Sequence, residues 1–422
     1  MTTADRCPIV HFDHHSREHT ENYVDIYRKL REEAPVAWTE SYGGFWVLSD
    51  YASVYEAARD DDTFSSTRHD EYGGAGLAVT IPKAPTDFHI PIEIDPPNSS
   101  PYRRLINKIT SPKAADAMQP LITHYVTGLI DGFIESGEAD LAIVASVPAI
   151  VVVDWLGLDP SEYQYYVDAM HTLVSAAPGS DEYKHAAEVA VPWVKNTVHE
   201  HIRYRREHPA DDITTYFINS PIDGRPMTDD EIYSILELVI SGGVGTTASL
   251  VTQSLVWLYQ NPGERQRLID NPDMLDVAME EFLRVFSPTQ ALARTIMEDK
   301  EFHGCPVHRG DRALLSWASA NRDAEQFTDP DTVDITRWPN RHIAFGVGMH
   351  RCAGLNIAKR LAHEIFSQIL TRMGDYVVDM DNLVTYPDQG TNAGFHSIPV
   401  TFTSGERLLG DTPLFPDHYT KA

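Results

Sequence analysis

The sequence predicts a mainly α fold, a helical bundle with one long central helix and small β-sheet regions. A capping box at residues 227–231 opens a run of helix formers that reaches Gln260, about thirty residues or on the order of 45–50 Å. Over residues 355–373, apolar residues recur at steps of three and four, which is typical of a helix burying one face. The most apolar run, residues 141–153, is too short to span a bilayer and predicts a buried helix.

Length and composition restrict the class of protein. The 422 residues show no linker or repeat, so we expect a single domain over residues 1–422. The net charge of −28 argues against nucleic acid as a partner. Three scattered cysteines, Cys7, Cys305 and Cys352, predict no disulfide framework and a reducing, cytoplasmic location, with Cys305 unpartnered. The polar first 23 residues lack a signal-peptide apolar region and predict no membrane anchor.

The remaining elements are weaker in the sequence. Residues 23–33 are helix-like, residues 45–48 predict a short strand, and residues 51–59 predict a helix after it. Residues 64–94 are irregular, and a long irregular segment in a compact domain is usually functional. Several helices are expected over residues 115–208. Early histidines lack carboxylate or cysteine partners at ligand spacing and are expected to be solvated: His11, His14, His15 and His19.

One cysteine lies in a glycine-rich loop just before the predicted helix at residues 355–373. Glycines at 346, 348 and 354 let the backbone turn sharply and approach a flat object. The unpaired amides at the helix start favour a thiolate at Cys352 over a thiol. These features indicate an axial metal ligand, and the alternative interpretation is a buried, inert cysteine.

The spacing Phe345-x-x-Gly348-x-x-x-Cys352-x-Gly354 resembles the heme-binding loop of the cytochrome P-450 superfamily, specifically its soluble bacterial-type heme-thiolate monooxygenases. The resemblance implies the P-450 fold and heme b (iron protoporphyrin IX), with iron bound by Cys352. Thiolate ligation favours O–O cleavage, so the resemblance implies O2 activation and insertion of one oxygen atom into an apolar small molecule.

The same resemblance assigns residues around the cofactor. Arg103, Arg294 and His350 match the contacts to the heme propionates, and a guanidinium suits a carboxylate by its bidentate geometry. Without the resemblance, Arg103 has the alternative interpretation of a solvated surface arginine.

The middle of the central helix carries three glycines in four positions, at 242, 243 and 245. Each costs roughly 1 kcal/mol against alanine, so close approach of Gly242 to a flat ligand is a reason to keep them. A bond from the Thr246 hydroxyl to the Gly242 carbonyl is expected. The segment resembles the family's oxygen-binding helix, with Thr246 as the catalytic threonine.

Gly245 stands where the family has an acidic residue that supplies protons through the threonine. Without the carboxylate, water beside Gly245 substitutes and oxygen activation is slower and leakier, or the protein runs peroxide-driven or atypical oxidation such as coupling. A flexible packing glycine is the alternative.

Two further sets of residues follow from the resemblance. Glu281, Arg284 and Arg337 match a structural network that holds the segment before the cysteine loop. The substrate is expected to be a terpenoid, steroid, fatty-acyl or polyketide-like molecule. Its pocket is predicted to be lined by Leu236, Val239, Ile240, Gly243, Thr289, Leu292 and Phe395.

Residues 337–360 contain five basic residues and no acidic one: Arg337, Arg341, Arg351, Lys359 and Arg360. A basic patch on an acidic protein favours a negatively charged partner, and an acidic ferredoxin fits the resemblance. No flavin or nicotinamide fingerprint is present, so we expect electrons from a ferredoxin and its NAD(P)H-dependent reductase. A non-catalytic heme-binding sensor or carrier is the competing hypothesis from a different class.

Overall fold

A computed structural model describes residues 7–69, 71–72 and 75–415. The α-helices, in chain order, are α1 (Arg17–Glu33), α2 (Tyr51–Ala57), α3 (Ser100–Ile109), α4 (Pro112–Ala117), α5 (Gln119–Asp131), α6 (Val147–Trp155), α7 (Tyr163–Tyr166), α8 (Thr172–Ser175), α9 (Asp181–His185), α10 (Val191–Glu207), α11 (Ile213–Ile218), α12 (Asp229–Gln260), α13 (Pro262–Asp270), α14 (Leu275–Phe286), α15 (Trp317–Ala320) and α16 (Leu355–Arg372).

The strands are short. They are β1 (Val36–Thr39), β2 (Phe45–Leu48), β3 (Phe64–Ser65), β4 (Glu138–Asp140), β5 (Leu292–Ile296), β6 (Lys300–Phe302), β7 (Cys305–Val307), β8 (Arg312–Leu315), β9 (Val377–Val378), β10 (Val384–Thr385), β11 (Phe395–Ser397) and β12 (Pro399–Thr401). The largest sheet has the order β1-β2-β8-β5-β3, in which β2 and β8 run parallel and the other pairs antiparallel. The mainly α fold with small sheets is therefore confirmed.

The long helix α12 lies at the centre of the molecule. It packs against α6, α10, α14 and α16. Thr228 caps it by accepting a hydrogen bond from the Glu231 amide, and the Glu231 carboxylate accepts one from the Thr228 amide in return. Among the described residues, α12 is the one helix long and apolar enough to cross a membrane, and 67 % of its most apolar stretch is buried in the protein.

Helix boundaries differ from the prediction where capping residues were overlooked. Helix α1 begins at Arg17 because the Ser16 hydroxyl accepts a hydrogen bond from the His19 amide. The apolar run at residues 141–153 starts as a 3₁₀ turn, Leu141–Ser146, before α6. Pro148 falls in the first turn of α6, where its missing N–H removes no helical hydrogen bond.

The expectation that the early histidines are solvated is wrong for three of the four. His14 is 2 % and His19 1 % exposed, and both rings pack against Phe12. The His15 ring lies between the Asp388 carboxylate, 2.9 Å from Nδ1, and the Ile81 carbonyl, 3.0 Å from Nε2. Their partners lie far along the chain or are aromatic, so ligand spacing gave no sign of them.

Cys305 is also not unpartnered, because it forms a disulfide with Cys7. The two cysteines are 298 residues apart in sequence, and the bond joins the N-terminal segment to β7. Cysteine usage therefore no longer argues for a reducing compartment.

Candidate active site

The loop around Cys352 is closed by a hydrogen bond from the Cys352 amide to the Phe345 carbonyl, at 2.8 Å. Gly346 and Gly348 have φ of +66° and +74°, in the left-handed region that favours glycine. At Gly348 an added Cβ would lie 2.7 Å from the Ala58 carbonyl oxygen, so the close contact also excludes a side chain. The loop thus fixes Cys352 three residues before α16 begins.

The sulfur of Cys352 borders open space, yet many protein atoms surround it. This desolvation raises the pKa of the Cys352 thiol, and the amides of Gly354 and Leu355 and the Arg103 guanidinium act in the opposite direction. The amides at the helix start therefore favour the thiolate, as predicted, but in the protein without a metal the desolvation outweighs them. A bound metal cation deprotonates a coordinating thiol outright, so Cys352 suits a ligand whose charge the metal compensates.

Open space for a planar group exists on two sides. A Cβ added at Gly242 of α12, or at Gly346 of the cysteine loop, would meet no described atom within 4 Å. Since no protein atom excludes a side chain at these two glycines, the space beside them can accommodate a ligand. A porphyrin is flat and can lie against such a surface. The Gly242 backbone and the cysteine loop therefore fit the predicted cofactor.

The cationic groups predicted to hold propionates have different surroundings. Arg294 is 3 % exposed and donates to the Ala293 carbonyl at 2.8 Å, and within the described part of the chain it forms no ion pair within 4.0 Å. Burial lowers the pKa of Arg294, while Asp95 and Asp61 nearby raise it. A buried guanidinium without a carboxylate in contact fits an incoming propionate.

Arg103 and His350 already have protein partners. Arg103 donates to the Arg351 carbonyl at 2.6 Å, beside the cysteine loop, and it is not the solvated arginine of the alternative interpretation. His350 Nε2 lies 3.0 Å from an Asp95 carboxylate oxygen. Burial raises the pKa of Asp95, but His350, Ser65 and other donors outweigh it and bring the value to about 2. The propionate roles of Arg103 and His350 stay predictions.

On α12 the predicted bond is present, since the Thr246 hydroxyl donates to the Gly242 carbonyl at 2.9 Å. Both residues line a cavity of about 180 Å³. The cavity is also bounded by residues outside the predicted lining set, on the loop after β3, on α8 and the π-helical turn before it, and on α12: Leu77, Val79, His89, Met170, Leu173, Leu238 and Ser241. This cavity is the candidate substrate pocket.

Two of the seven predicted lining residues, Thr289 and Leu292, line this cavity. The other five do not, and the prediction is corrected for them. Leu236 and Ile240 are fully buried in the core, and Val239 and Phe395 pack against core clusters. Gly243 lies against Val152, whose side chain would be 2.8 Å from an added Cβ. Because α12 is apolar on most sides, its sequence does not indicate which face borders the cavity. In the structure that face carries Leu238, Ser241 and Thr246.

The space beside Gly245 is occupied by protein. A Cβ added there would lie 3.1 Å from Cδ2 of His171 and 3.5 Å from the Asn392 amide nitrogen. This corrects the expectation that water fills the gap left by the missing carboxylate. His171 lies in the π-helical turn Val167–His171, 74 positions from Gly245, and no motif in the sequence pointed to it.

His171 is half-buried, and its buried Nε2 has no hydrogen-bond partner among the described residues. Burial, with a smaller contribution from His396, lowers the pKa of His171 to about 4, so its ring is neutral at pH 7. Its ring centroid lies 4.8 Å from that of Tyr386 and 5.7 Å from that of His396, and His396 is exposed. The rings of His396 and His171 therefore lie between the surface and Gly245, with Tyr386 packed against both.

A family model described as Cytochrome P450 matches residues 164–389, more than half of the chain. The steroid C26-monooxygenase of Mycolicibacterium smegmatis is 30 % identical over 394 residues, which cover 91 % of this chain and 94 % of the relative. The chain belongs to the cytochrome P450 family. Linalool 8-monooxygenase of Pseudomonas putida is 31 % identical over 372 residues, covering 83 % of this P450 and 88 % of the relative.

The P450 fold is confirmed by solved structures. The structure of CYP109E1 from Bacillus megaterium in complex with testosterone superposes with a TM-score of 0.81 at 26 % identity, covering 92 % of this P450 and 99 % of that chain. The named relatives are monooxygenases, and the P450 described here is a monooxygenase of the same family. Its family uses heme, which agrees with the open space beside Cys352.

The structural network of the P450 is assembled as the sequence predicted. Arg284 donates from Nε and Nη2 to the two Glu281 carboxylate oxygens, at 2.8 Å each, and both side chains are fully buried. Arg337 Nε lies 3.2 Å from both oxygens of the same carboxylate. Arg284 also donates to the carbonyls of Pro330 and Thr332, so the network fixes the segment that leads to the cysteine loop.

Proposed function

We propose that this P450 uses heme b to insert one oxygen atom into an apolar molecule of terpenoid or steroid size, with electrons from a separate ferredoxin. The observation that carries the proposal is the cavity, which joins apolar side chains such as Val79, Leu173 and Leu292 to Gly242 and Thr246 on α12. The activities named for the relatives, on a steroid and on linalool, support this substrate range.

The residues of the chain have separate roles in this proposal. Cys352 would ligate heme b, Arg103 and Arg294 would hold its carboxylates, and the bound heme would supply the activation of O2. The apolar lining holds the substrate by burial and keeps water out of the cavity. Thr246 Oγ1, held on the Gly242 carbonyl, offers a hydroxyl at the cavity surface that can pass a proton inward.

The monooxygenase proposal is tested by turnover of linalool and testosterone with O2, a ferredoxin and its reductase. We expect a product that has gained one oxygen atom, and labelled O2 must be its source. Equal or better turnover with hydrogen peroxide alone would instead favour peroxide-driven or atypical oxidation. Retained heme without any product under either condition would favour the sensor or carrier hypothesis.

Peroxide-driven or atypical oxidation is a second candidate because of the geometry at Gly245. His171 fills the place beside this glycine, and its ring is neutral at pH 7, so it does not supply the negative charge that a carboxylate would place there. The supply of protons beside Thr246 determines the fraction of electrons that form product instead of peroxide or water.

Replacing Gly245 with aspartate is expected to raise the fraction of electrons that end in product. The new Cβ would stand 3.1 Å from His171 Cδ2, so the ring must move by a few tenths of an ångström. The carboxylate would then raise the pKa of His171 and supply a proton relay beside Thr246. Product formed per NAD(P)H consumed is the measurement.

Gly245→Asn is the matched control, since it has the same size and no charge. If the asparagine variant gains as much coupling as the aspartate variant, filled volume rather than proton delivery explains the gain. Unchanged coupling in the aspartate variant would contradict the relay.

The basic surface proposed for the ferredoxin is smaller than the sequence suggested. Arg337 pairs with Glu281, Lys359 with Glu280, and Arg360 with Asp116. The described residues provide no ion pair within 4.0 Å for Arg341 or Arg351, and both are exposed. The positive potential for an acidic partner is therefore concentrated on Arg341 and Arg351 beside the cysteine loop.

Replacing Arg351 with glutamate is expected to slow electron delivery by about tenfold at low salt, with less effect as ionic strength rises. Arg351 is the residue before Cys352, so an acidic protein docked there approaches the sulfur closely. The rate of heme reduction by reduced ferredoxin measures the effect.

Arg203→Glu makes the same charge change on α10, a helix that packs against α12 and α11. We expect this variant to be reduced at the normal rate. A loss of the same size in both variants would indicate a dependence on net charge instead of a docking site.

One domain over residues 1–422 and a cytoplasmic location complete the proposal. A single solved P450 chain superposes on 92 % of the sequence, which supports one domain. The burial of α12 in the core supports a location away from the membrane.

A further inference from the structure

A buried carboxylate and a histidine meet where the loop after β3 crosses the N-terminal half of α12. Glu237 is 0 % and His89 2 % exposed, and His89 Nε2 lies 3.3 Å from a Glu237 carboxylate oxygen. Neither Glu237 oxygen, nor His89 Nε2, makes a hydrogen bond of good geometry with a described residue. A carboxyl group buried in the core without a hydrogen bond of good geometry is unusual, and it indicates a functional role.

The charged groups around this pair are each satisfied by other partners. Arg68 pairs with Glu93 at 2.8 Å, and Lys195 pairs with Asp87 at 2.9 Å. The Glu93 carboxylate also accepts a hydrogen bond from the His89 amide, which fixes the backbone of His89. The backbone of His89 is therefore fixed, while the contact of its ring with Glu237 lacks good hydrogen-bond geometry.

His89 lines the candidate substrate pocket, and Glu237 stands behind it. A carboxylate facing Nε2 favours the proton on that nitrogen, and in a neutral imidazole the other nitrogen is then an acceptor. Nδ1 is thus the ring nitrogen left for a ligand. Among the described residues that line the cavity there is no Lys, Arg, Asp or Glu, so a neutral ligand fits.

We propose that Glu237 and His89 form a polar anchor for a hydroxyl group, so that the substrate class is a neutral, apolar alcohol. The hydroxyl donates to Nδ1 of His89, and the apolar remainder extends along Leu173 and Leu238 toward Thr246. This inference rests on the proposed function, because it assigns a subsite within the substrate cavity of the monooxygenase. It narrows the substrate from any apolar molecule to one with a donor at the end remote from the oxidised carbon.

The anchor is tested by calorimetric titration of the heme-loaded protein with three molecules of the same skeleton: menthol, menthone and limonene. Menthol carries a hydroxyl, menthone a carbonyl, and limonene neither. We expect menthol to bind about tenfold more tightly than the other two, the effect of one hydrogen bond in a buried site. Equal affinities for menthol and menthone, or no measurable binding of menthol, would overturn the proposal.

Two variants assign the preference to these residues. His89→Phe keeps a ring of similar size without nitrogens, and we expect menthol to fall to the affinity of limonene. Glu237→Gln keeps the shape but removes the carboxyl group that faces Nε2, and we expect the preference for menthol over menthone to shrink while limonene is unaffected. A full preference in both variants would overturn the anchor, and Glu237→Gln decides the question if His89→Phe does not fold.

These titrations contain no electron donor, so they are independent of turnover. If the wild-type protein shows no preference for menthol, the anchor proposal is wrong and the monooxygenase proposal is unaffected. If the protein prefers menthol but oxidises no substrate, the monooxygenase proposal is wrong and the anchor proposal is unaffected.

Discussion

Replacing Cys352 with alanine is expected to remove the monooxygenase activity completely and to lower heme retention sharply. The cysteine loop provides one thiol near the open space at Gly346, fixed by the hydrogen bond from the Cys352 amide to the Phe345 carbonyl. Alanine keeps this backbone but has no atom that can bind iron. The measurements are heme content after purification and the absorbance of the reduced protein under carbon monoxide, in which the red-shifted band of a sulfur-ligated heme is expected to vanish.

The double variant Cys7→Ala/Cys305→Ala is the control, because it removes the other two cysteines and leaves Cys352. We expect it to keep the red-shifted band, with any loss confined to thermal stability, since the disulfide joins the N-terminal segment to β7. Full pigment with an intact band in Cys352→Ala would contradict the assignment of the metal ligand.

The parts of the site that the sequence could predict are those encoded by neighbouring residues. The turns at Gly346 and Gly348, the Thr246 bond to Gly242 and the capping box of α12 all depend on backbone conformation or contacts within a few positions. Local spacing determines such contacts. The Glu281 network reaches across more than fifty positions, and it was found because its spacing resembles a known family.

Contacts between distant segments were not predictable in this way. The apolar residues of α12 gave no indication of which face meets the cavity, so Leu236 and Ile240 were assigned to the wrong side. His171 reaches Gly245 from a separate helix, and His89 reaches Glu237 from an irregular loop. A lone histidine in sequence carries no sign of the partner that folding brings to it.

The net effect of opposing contributions to the Cys352 pKa was also not predictable from the sequence. The helix start does stabilise a Cys352 thiolate, as predicted, but desolvation of the sulfur is larger and reverses the net shift of its pKa. Burial depends on the complete fold, whereas the amide positions depend on the local chain. The direction of the net pKa shift at Cys352 therefore could not be predicted without the structure.

Replacing Glu281 with alanine is expected to destabilise the folded protein by roughly 3–5 kcal/mol, the cost of leaving a buried charge without its partner. Arg284 is fully buried, and Glu281 also accepts hydrogen bonds from Arg337, Asn340 and the Asp334 amide. Alanine leaves all four donors without this acceptor, in the segment before the cysteine loop. Thermal unfolding and heme retention measure the loss, and we expect both to fall together.

Glu264→Ala is the matched control on α13, the helix before α14. Glu264 pairs with Arg267, but the two side chains are 34 % and 48 % exposed, so removing the pair is expected to change stability by about 0–1 kcal/mol. Loss of the same type of ion pair thus costs much less stability at the surface than in the core. If Glu281→Ala unfolds no more easily than Glu264→Ala, the buried network does not hold the cysteine segment, and its role must be sought outside stability.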